Sequence, residues 1–366
     1  MPPVLIIGAG PVGLAAALFL TRRGVSVRIL DADAAPHATS RALAVSPRTL
    51  ELLTDSGVAA AMVAEGNRVD GIRLFYDGRP LATVTPDWSR MGSAYPMTIL
   101  PQARSEAHLI AALSALGVAV ERGRVLTDLR RTDDAVTAVL ADGEALTAPL
   151  LFAADGAHSV TRHALNISFP GDSASQAWHL MDAEIEGPPT DQVWVNFGVG
   201  RAFICLPYAG KTVRLFTFGQ PLIDSIPRHW RLGEIRWRSD FTVSHRIADR
   251  LSVGRIALGG DAAHIHSPIG GRGMNLGIED AWVFSACAAD FLNGETSRID
   301  DYDRLRRPAD AAVVKTIRAI TRFVTDDGFL ANTAKRTLPP IATRFPGLIN
   351  RALRVGMGLD HPIPLR

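Results

Sequence analysis

The 366-residue chain is poor in the features that mark several large protein classes. It holds only two cysteines, Cys205 and Cys287, too few for a disulfide framework, so a reducing compartment such as the cytoplasm is expected. Both lie in apolar stretches that are ordinary places for a buried thiol. An excess of one charge is missing too: 39 Lys and Arg stand against 37 Asp and Glu, with no basic stripe for a phosphate backbone, and nucleic acid is not an expected partner. Uninterrupted hydrophobic runs are scarce. The longest candidate, Val4 to Leu20, is punctuated by glycines and has no basic segment before it, so neither a signal peptide nor stable membrane association is expected. Repeats, heptads and low-complexity tracts are absent, and nothing in the sequence sets an oligomeric state.

What is present is the balance of a globular protein, 47% hydrophobic and 21% charged residues, in a chain long enough for about two domains that can interleave. Its first motif comes at once. The β-rich run Val4 to Ile7 leads into Gly8-Ala9-Gly10-Pro11-Val12-Gly13 and then a helical stretch, Leu14 to Arg23. Gly8 permits a tight turn, Gly10 lets the backbone approach a pyrophosphate, and Gly13 lets helix pack on strand. The phosphates then meet the partial positive charge of the helix N-terminus. Gly24 closes the helix, Val25 to Leu30 reads as a second parallel strand, and Asp31 ends it where an acid can bind a ribose hydroxyl. Asp33 is the rival for that role, and Asp31 is preferred because it directly follows the strand.

Two later segments choose the dinucleotide. In LLFAADGAHSVTR, residues 150–162, an apolar strand breaks at Asp155-Gly156 and resumes as a helix capped near Ser159. In RIALGGDAAHIHSPIGGRGMNLGIEDA, residues 255–281, Asp261 follows paired glycines, and Gly270, Gly271 and Gly273 form a loop that opens a long helix. With these motifs in this order, the chain resembles the flavoprotein aromatic hydroxylases, the class A monooxygenases of p-hydroxybenzoate hydroxylase and polyketide hydroxylase type. The resemblance covers residues 1 to about 290.

The resemblance implies that Gly8, Gly10, Pro11, Val12 and Gly13 hold the FAD pyrophosphate and Asp31 the adenosine ribose. Arg41 looks like the family arginine near the FAD and the entering nicotinamide, and Gln102 like the glutamine on the ribityl chain. Asp155 would organise the FAD and nicotinamide region, Gly260 and Asp261 would meet the ribityl hydroxyls, and Pro268 would line the reacting face of the flavin. Gly271, Arg272, Gly273, Met274 and Asn275 would lie against the isoalloxazine. A reduced flavin carries negative charge on its pyrimidine side, which a helix N-terminus stabilises. The family often has Gln or Lys where this loop has Arg272, so its side chain is expected either beside the ring or in solvent. His264 and His266 have no accompanying ligand set of recognisable spacing. A structural role is preferred for His264, and no metal is expected.

The expected fold class is α/β: a Rossmann-like FAD-binding domain, discontinuous over residues 1–68, 100–174 and 245–290, with an interleaved β-sheet substrate domain of residues 69–99 and 175–244. Residues 291–366 form a C-terminal helical segment. VWVNFG, RAFICLPY and VRLFTFG read as antiparallel strands. Trp194, Phe197, Phe203, Phe216 and Phe218 are candidates for lining the substrate pocket, and His179 and Tyr208 for acid-base or hydrogen-bonding groups in it. No catalytic base is nominated; Arg41 and Pro268 are the residues placed nearest the chemistry. The implied reaction uses NADPH or NADH and molecular oxygen to hydroxylate an aromatic, phenolic or polyketide-like small molecule through a flavin hydroperoxide. Epoxidation, Baeyer-Villiger oxygenation, antibiotic inactivation, or FAD and ligand binding without turnover are the alternatives. The tryptophan-rich signature of flavin halogenases is missing.

Overall fold

The computed structural model describes residues 2–36, 42–363 and 365. A six-stranded sheet holds, in spatial order, Ser252–Val253, Ile256–Leu258, Leu151–Ala153, Val4–Ile7, Val27–Leu30 and Val120–Glu121. All neighbours are parallel except the first two. Val4–Ile7 is therefore central, with the second strand on one side and a strand from residue 151 onward on the other. The crevice where strand order reverses opens at its carboxyl end, where open α/β sheets bind ligands.

Helix Pro11–Arg22 is buried at every position from Pro11 to Leu20 because it is sandwiched between this sheet and helix Gly273–Leu292. Glycine sets how closely the two helices approach. A Cβ on Gly277 would lie 2.5 Å from the Val12 side chain and 2.8 Å from the Gly260 Cα. Further along the same contact the Phe19 and Trp282 rings meet edge to face at 5.0 Å, and the Arg23 guanidinium caps Trp282 at 4.4 Å.

The second large sheet has eight strands in the order His264–Ile265, Arg231–Ile247, Gly171–Glu186, Thr212–Phe218, Arg201–Ala209, Gln192–Gly198, Gly71–Tyr76 and Arg79–Val84. Its strands come from between the motifs, except His264–Ile265 within the segment 255–281, and Gly171–Glu186 and Arg231–Ile247 run a few residues into the flanking segments. A small antiparallel meander, Leu126–Arg131, Val136–Leu140 and Ala145–Ala148, was not singled out by pattern; its middle strand alternates buried and half-buried residues as a one-sided strand should. The tail is helical: Arg298–Thr325, Phe329–Ala342 and Pro346–Met357. The middle helix runs through Pro339-Pro340 rather than breaking there. Both cysteines are buried; burial pushes the Cys205 thiol well up and the Cys287 thiol to about 11, so neither is a thiolate at neutral pH.

Candidate FAD site and the face above it

The glycine turn separates what the protein demands from what a ligand demands. A Cβ on Gly8 would sit 2.3 Å from the Ala154 carbonyl oxygen, and one on Gly13 would sit 1.9 Å from the Gly8 carbonyl oxygen. Both positions are closed by the chain itself. At Gly10 nothing lies within 4 Å of the added Cβ, and φ is −72°, which any residue adopts. The open space there is a cradle, above the N-terminus of a helix that has no side-chain cap.

Asp31 braces this turn from the neighbouring strand. Its Oδ2 accepts from the Ala9 N–H at 2.5 Å, its Oδ1 accepts from the Asp33 N–H at 2.8 Å, and Arg122 stands 3.5 Å away. Each carboxylate oxygen keeps a second lone pair for a ribose hydroxyl. Asp155 has the same divided use. Its Oδ2 accepts from the Thr161 N–H, starting helix Val160–Ala164, while its Oδ1 is buried without a partner. Asp261 is exposed in the turn Gly260–Ala262.

Arg162, which pattern reading did not single out, ties these two loops together. It is buried, donates to the Ala262 and Ala157 carbonyls at 3.0 and 2.8 Å, and lies 4.0 Å over the Phe169 ring. Burial lowers its pKa from the usual arginine value, with Asp155 opposing the shift.

The loop from Ser267 to Arg272 leads into helix Gly273–Leu292, again without a side-chain cap, and nothing lies within 4 Å of a Cβ built on Gly273. Pro268 accepts from the Gly271 N–H at 3.0 Å. Asn275 is spent on structure. Its Nδ2 donates to the Ala44 and Gly271 carbonyls, and its Oδ1 accepts from the Ser46 N–H and the Thr49 hydroxyl. It clasps the loop to strand Ala44–Val45, and the helix start from Gly273 to Asn275 presents its first backbone N–H groups. Strand Thr98–Ile99 pairs with Ala44–Val45, and the Gln102 N–H donates to Ala42, so Gln102 joins the same margin; its side chain donates to Glu106 at 2.8 Å. Arg41 lies outside the described residues.

Arg272 requires a correction, because its side chain is not in solvent. It is fully buried, donates to the Val355 carbonyl at 3.1 Å and pairs with Glu279 at 3.4 Å, with Asp360 at 3.7 Å. It belongs to a chain of buried charge that pattern reading missed. His361 meets both Glu279 at 2.9 Å and Asp360 at 3.0 Å. Arg306 donates to Asp280 at 2.8 Å and to Asp310 at 2.5 Å. Asp280 also accepts from His264 at 2.7 Å and from the Gly260 N–H at 3.0 Å. The signal was present in the sequence as adjacent Glu279-Asp280 in an apolar helix and an Arg306, Asp310 pair one turn apart.

Desolvation resists a charge on His264, but Asp280 and Asp310 outweigh it and raise the pKa to about 9. His266 behaves oppositely: burial among the cations His264 and Arg272 drops it to about 3, with Nδ1 on the Ser267 carbonyl. Ligand atoms of His264, Asp280 and Asp310 converge within 4.8 Å, the spacing of a metal site. Arg306 already supplies the cation there, donating to both carboxylates, so the group is an ion-pair cluster.

The eight-stranded sheet presents one face to this site. Ile269 clusters with Trp178, Phe218 and Phe197 on it, and Leu43 and Ala44 cluster with Val193, Val195 and Ile204. Register sorts the pocket candidates, because side chains alternate sides along each strand. Phe241, Trp178, Phe218, Ala202, Phe197 and Tyr76 form one row across six strands. The next row toward the far end holds Leu180, Phe216, Ile204, Val195 and Leu74. Beyond it Arg214 and Asp182 form a buried bidentate pair, both bonds 2.7 Å, with Tyr208 and Trp237 rings beside the guanidinium.

Phe197, Phe216 and Phe218 thus lie on the sheet face turned toward the glycine loops, the last two buried there. His179 and Phe203 do not, which corrects their assignment to the pocket. Phe203 packs under Trp230 on the opposite face, and Trp194 stacks there on Phe75 at 3.9 Å. His179 meets Asp240 at 2.7 Å in a recess of about 740 Å³ on that same outer side.

A pyrophosphate cradle at the strand-order switch point, two acids with spare lone pairs and a second uncapped helix start are the parts of an FAD-type dinucleotide site. The chain belongs to the FAD binding domain family, whose model matches residues 1–222 and 222–317. It is 36% identical over 372 residues to the 6-methylpretetramide 4-monooxygenase of Streptomyces rimosus, covering 94% of this chain and 65% of that relative's length. The structure of the anhydrotetracycline hydroxylase OxyS from Streptomyces rimosus superposes with TM-score 0.79 at 28% identity, over 99% of this chain and 77% of that one. The p-nitrophenol 4-monooxygenase PnpA from Pseudomonas putida DLL-E4 superposes with TM-score 0.87 over 98% of both chains at 21% identity, a likeness of fold.

Proposed function

We propose that the protein is an FAD-dependent monooxygenase that uses NADPH or NADH and oxygen to hydroxylate an aromatic, phenolic or polyketide-like small molecule, in the cytoplasm. The observation that carries this reading is the juxtaposition of the flavin margin, Pro268 to Asn275, with the aromatic and aliphatic rows of the sheet above it. FAD, when bound, supplies electron transfer from the nicotinamide and the activation of oxygen. The chain supplies the rest. The amides after Gly10 take the pyrophosphate, Asp31 and Asp261 take ribose and ribityl hydroxyls, and the amides after Arg272 meet the ring. Arg41 and Asp155 are assigned to the nicotinamide side. Phe197, backed by the buried Phe216 and Phe218, gives a planar substrate an apolar surface and excludes water that would divert reducing power to hydrogen peroxide.

The test is direct. The purified protein should be yellow, and one or more members of a phenol and polyphenol panel should accelerate its oxidation of NADPH or NADH with a product heavier by one oxygen atom. A flavin-loaded protein whose oxidation rate no panel member raises, and whose products never gain oxygen, refutes the proposal.

A further inference from the structure

Helix Phe329–Ala342 is packed inside out. Its buried residues are Asn332 and Lys335. Asn332 donates to the Asp327 and Gly328 carbonyls and accepts from the Tyr76 hydroxyl at 3.1 Å; Lys335 donates to the Asp326 carbonyl at 2.6 Å. The apolar residues point away: Phe329 is 83% exposed and Leu330 81%, with Leu338, Ile341, Phe345 and Leu348 also exposed on this helix and at the start of the next. A surface helix normally buries its apolar stripe, and apolar patches of this kind mark binding surfaces.

Charge identifies the occupant. From Gly328 to Leu359 the chain carries Lys335, Arg336, Arg344, Arg351 and Arg354 and not one carboxylate side chain. Arg344 and Arg351 are exposed around the apolar residues, while Arg336, also exposed, leans over the Tyr76 ring at 5.5 Å. A second copy docked by a two-fold axis through the patch would set these arginines against themselves. Exposed Phe, Leu and Ile rimmed by arginine is instead the pattern of a helix that lies in the headgroup layer of an anionic bilayer. We propose that helices Phe329–Ala342 and Pro346–Met357 form a reversible docking surface for anionic lipid. No helix among the described residues is long and apolar enough to cross a membrane, so this is attachment at the surface.

The test uses the FAD-loaded full chain with vesicles of phosphatidylcholine alone and of phosphatidylcholine with phosphatidylglycerol. Sedimentation with the anionic vesicles only, reversed by salt, is expected. Leu330→Asp with Ile341→Asp should abolish it. Arg344→Glu and Arg351→Glu should each lower the partition coefficient roughly tenfold, with flavin content unchanged. Absence of sedimentation with anionic vesicles overturns the proposal. So does a concentration-dependent dimer, seen by light scattering, that Leu330→Asp dissociates.

Discussion

Two helices in this molecule start at a glycine loop with no side chain to cap them, and different forces hold them. Pro11–Arg22 is fixed by shape: apolar at almost every position, it meets its neighbours through glycines at which no Cβ would fit. Gly273–Leu292 shares that packing through Gly277 and adds charge, through Glu279 and Asp280 buried against Arg272, His264 and Arg306. Steric constraint does not depend on solution conditions. Buried ion pairs do, and removing one partner leaves the other charge desolvated and alone.

The comparison is tested most severely by one methyl group placed twice. Gly13→Ala drives a Cβ to 1.9 Å from a backbone oxygen and should abolish the folded, flavin-binding protein, read as lost soluble yield and lost flavin absorbance. Gly10→Ala meets no protein atom and should leave the melting temperature of the apoprotein unchanged while weakening FAD retention in a titration. Equal loss of stability in both would break the distinction between protein-imposed and ligand-imposed glycine.

Next in size is Asp280→Asn. It leaves Arg306 and His264 without their shared carboxylate and should cost about 3–5 kcal/mol in urea unfolding. A loss under about 1 kcal/mol would mean that Asp310 and Glu279 suffice to neutralise the cluster.

The smallest effect is a pH dependence. Hydrogen bonds to Asp360 and Glu279 raise the His361 pKa from 6.5 to about 9, against desolvation. Its contribution to stability is therefore complete below pH 6.5 and is lost as pH rises through about 9. The melting temperature of the parent protein minus that of His361→Gln should be positive at pH 6 and shrink toward pH 9.5. A difference independent of pH would show that His361 acts by packing alone.

The first helix was legible in the sequence because its signals are local, a turn, a helix start and an acid about 20 residues on, all within one strand-helix-strand unit; the Ala154 carbonyl that closes Gly8 and the Gly277 contact were not. The second was half legible. Its glycines announced the loop, but the Arg272 side chain depends on Glu279 and on Val355 and Asp360, more than 80 positions away. The sheet above the flavin site was legible as strands and not as sides. Phe203 and Phe218 look alike in sequence, and only pairing against neighbouring strands assigns one to Trp230 and the other to Trp178. Likewise the apolar residues of the tail suggest an ordinary packed helix until Asn332 and Lys335 are seen to occupy its buried side.

The close approach of Val12, Gly260 and Gly277 also sets a timetable. The nucleotide motif is synthesised early, yet the surface it packs on is made roughly 260 residues later, about 13 to 50 seconds at ordinary rates of synthesis. The central strand waits likewise for Leu151–Ala153. Cofactor capture thus waits for Gly277, and a nascent chain stalled before it should remain colourless.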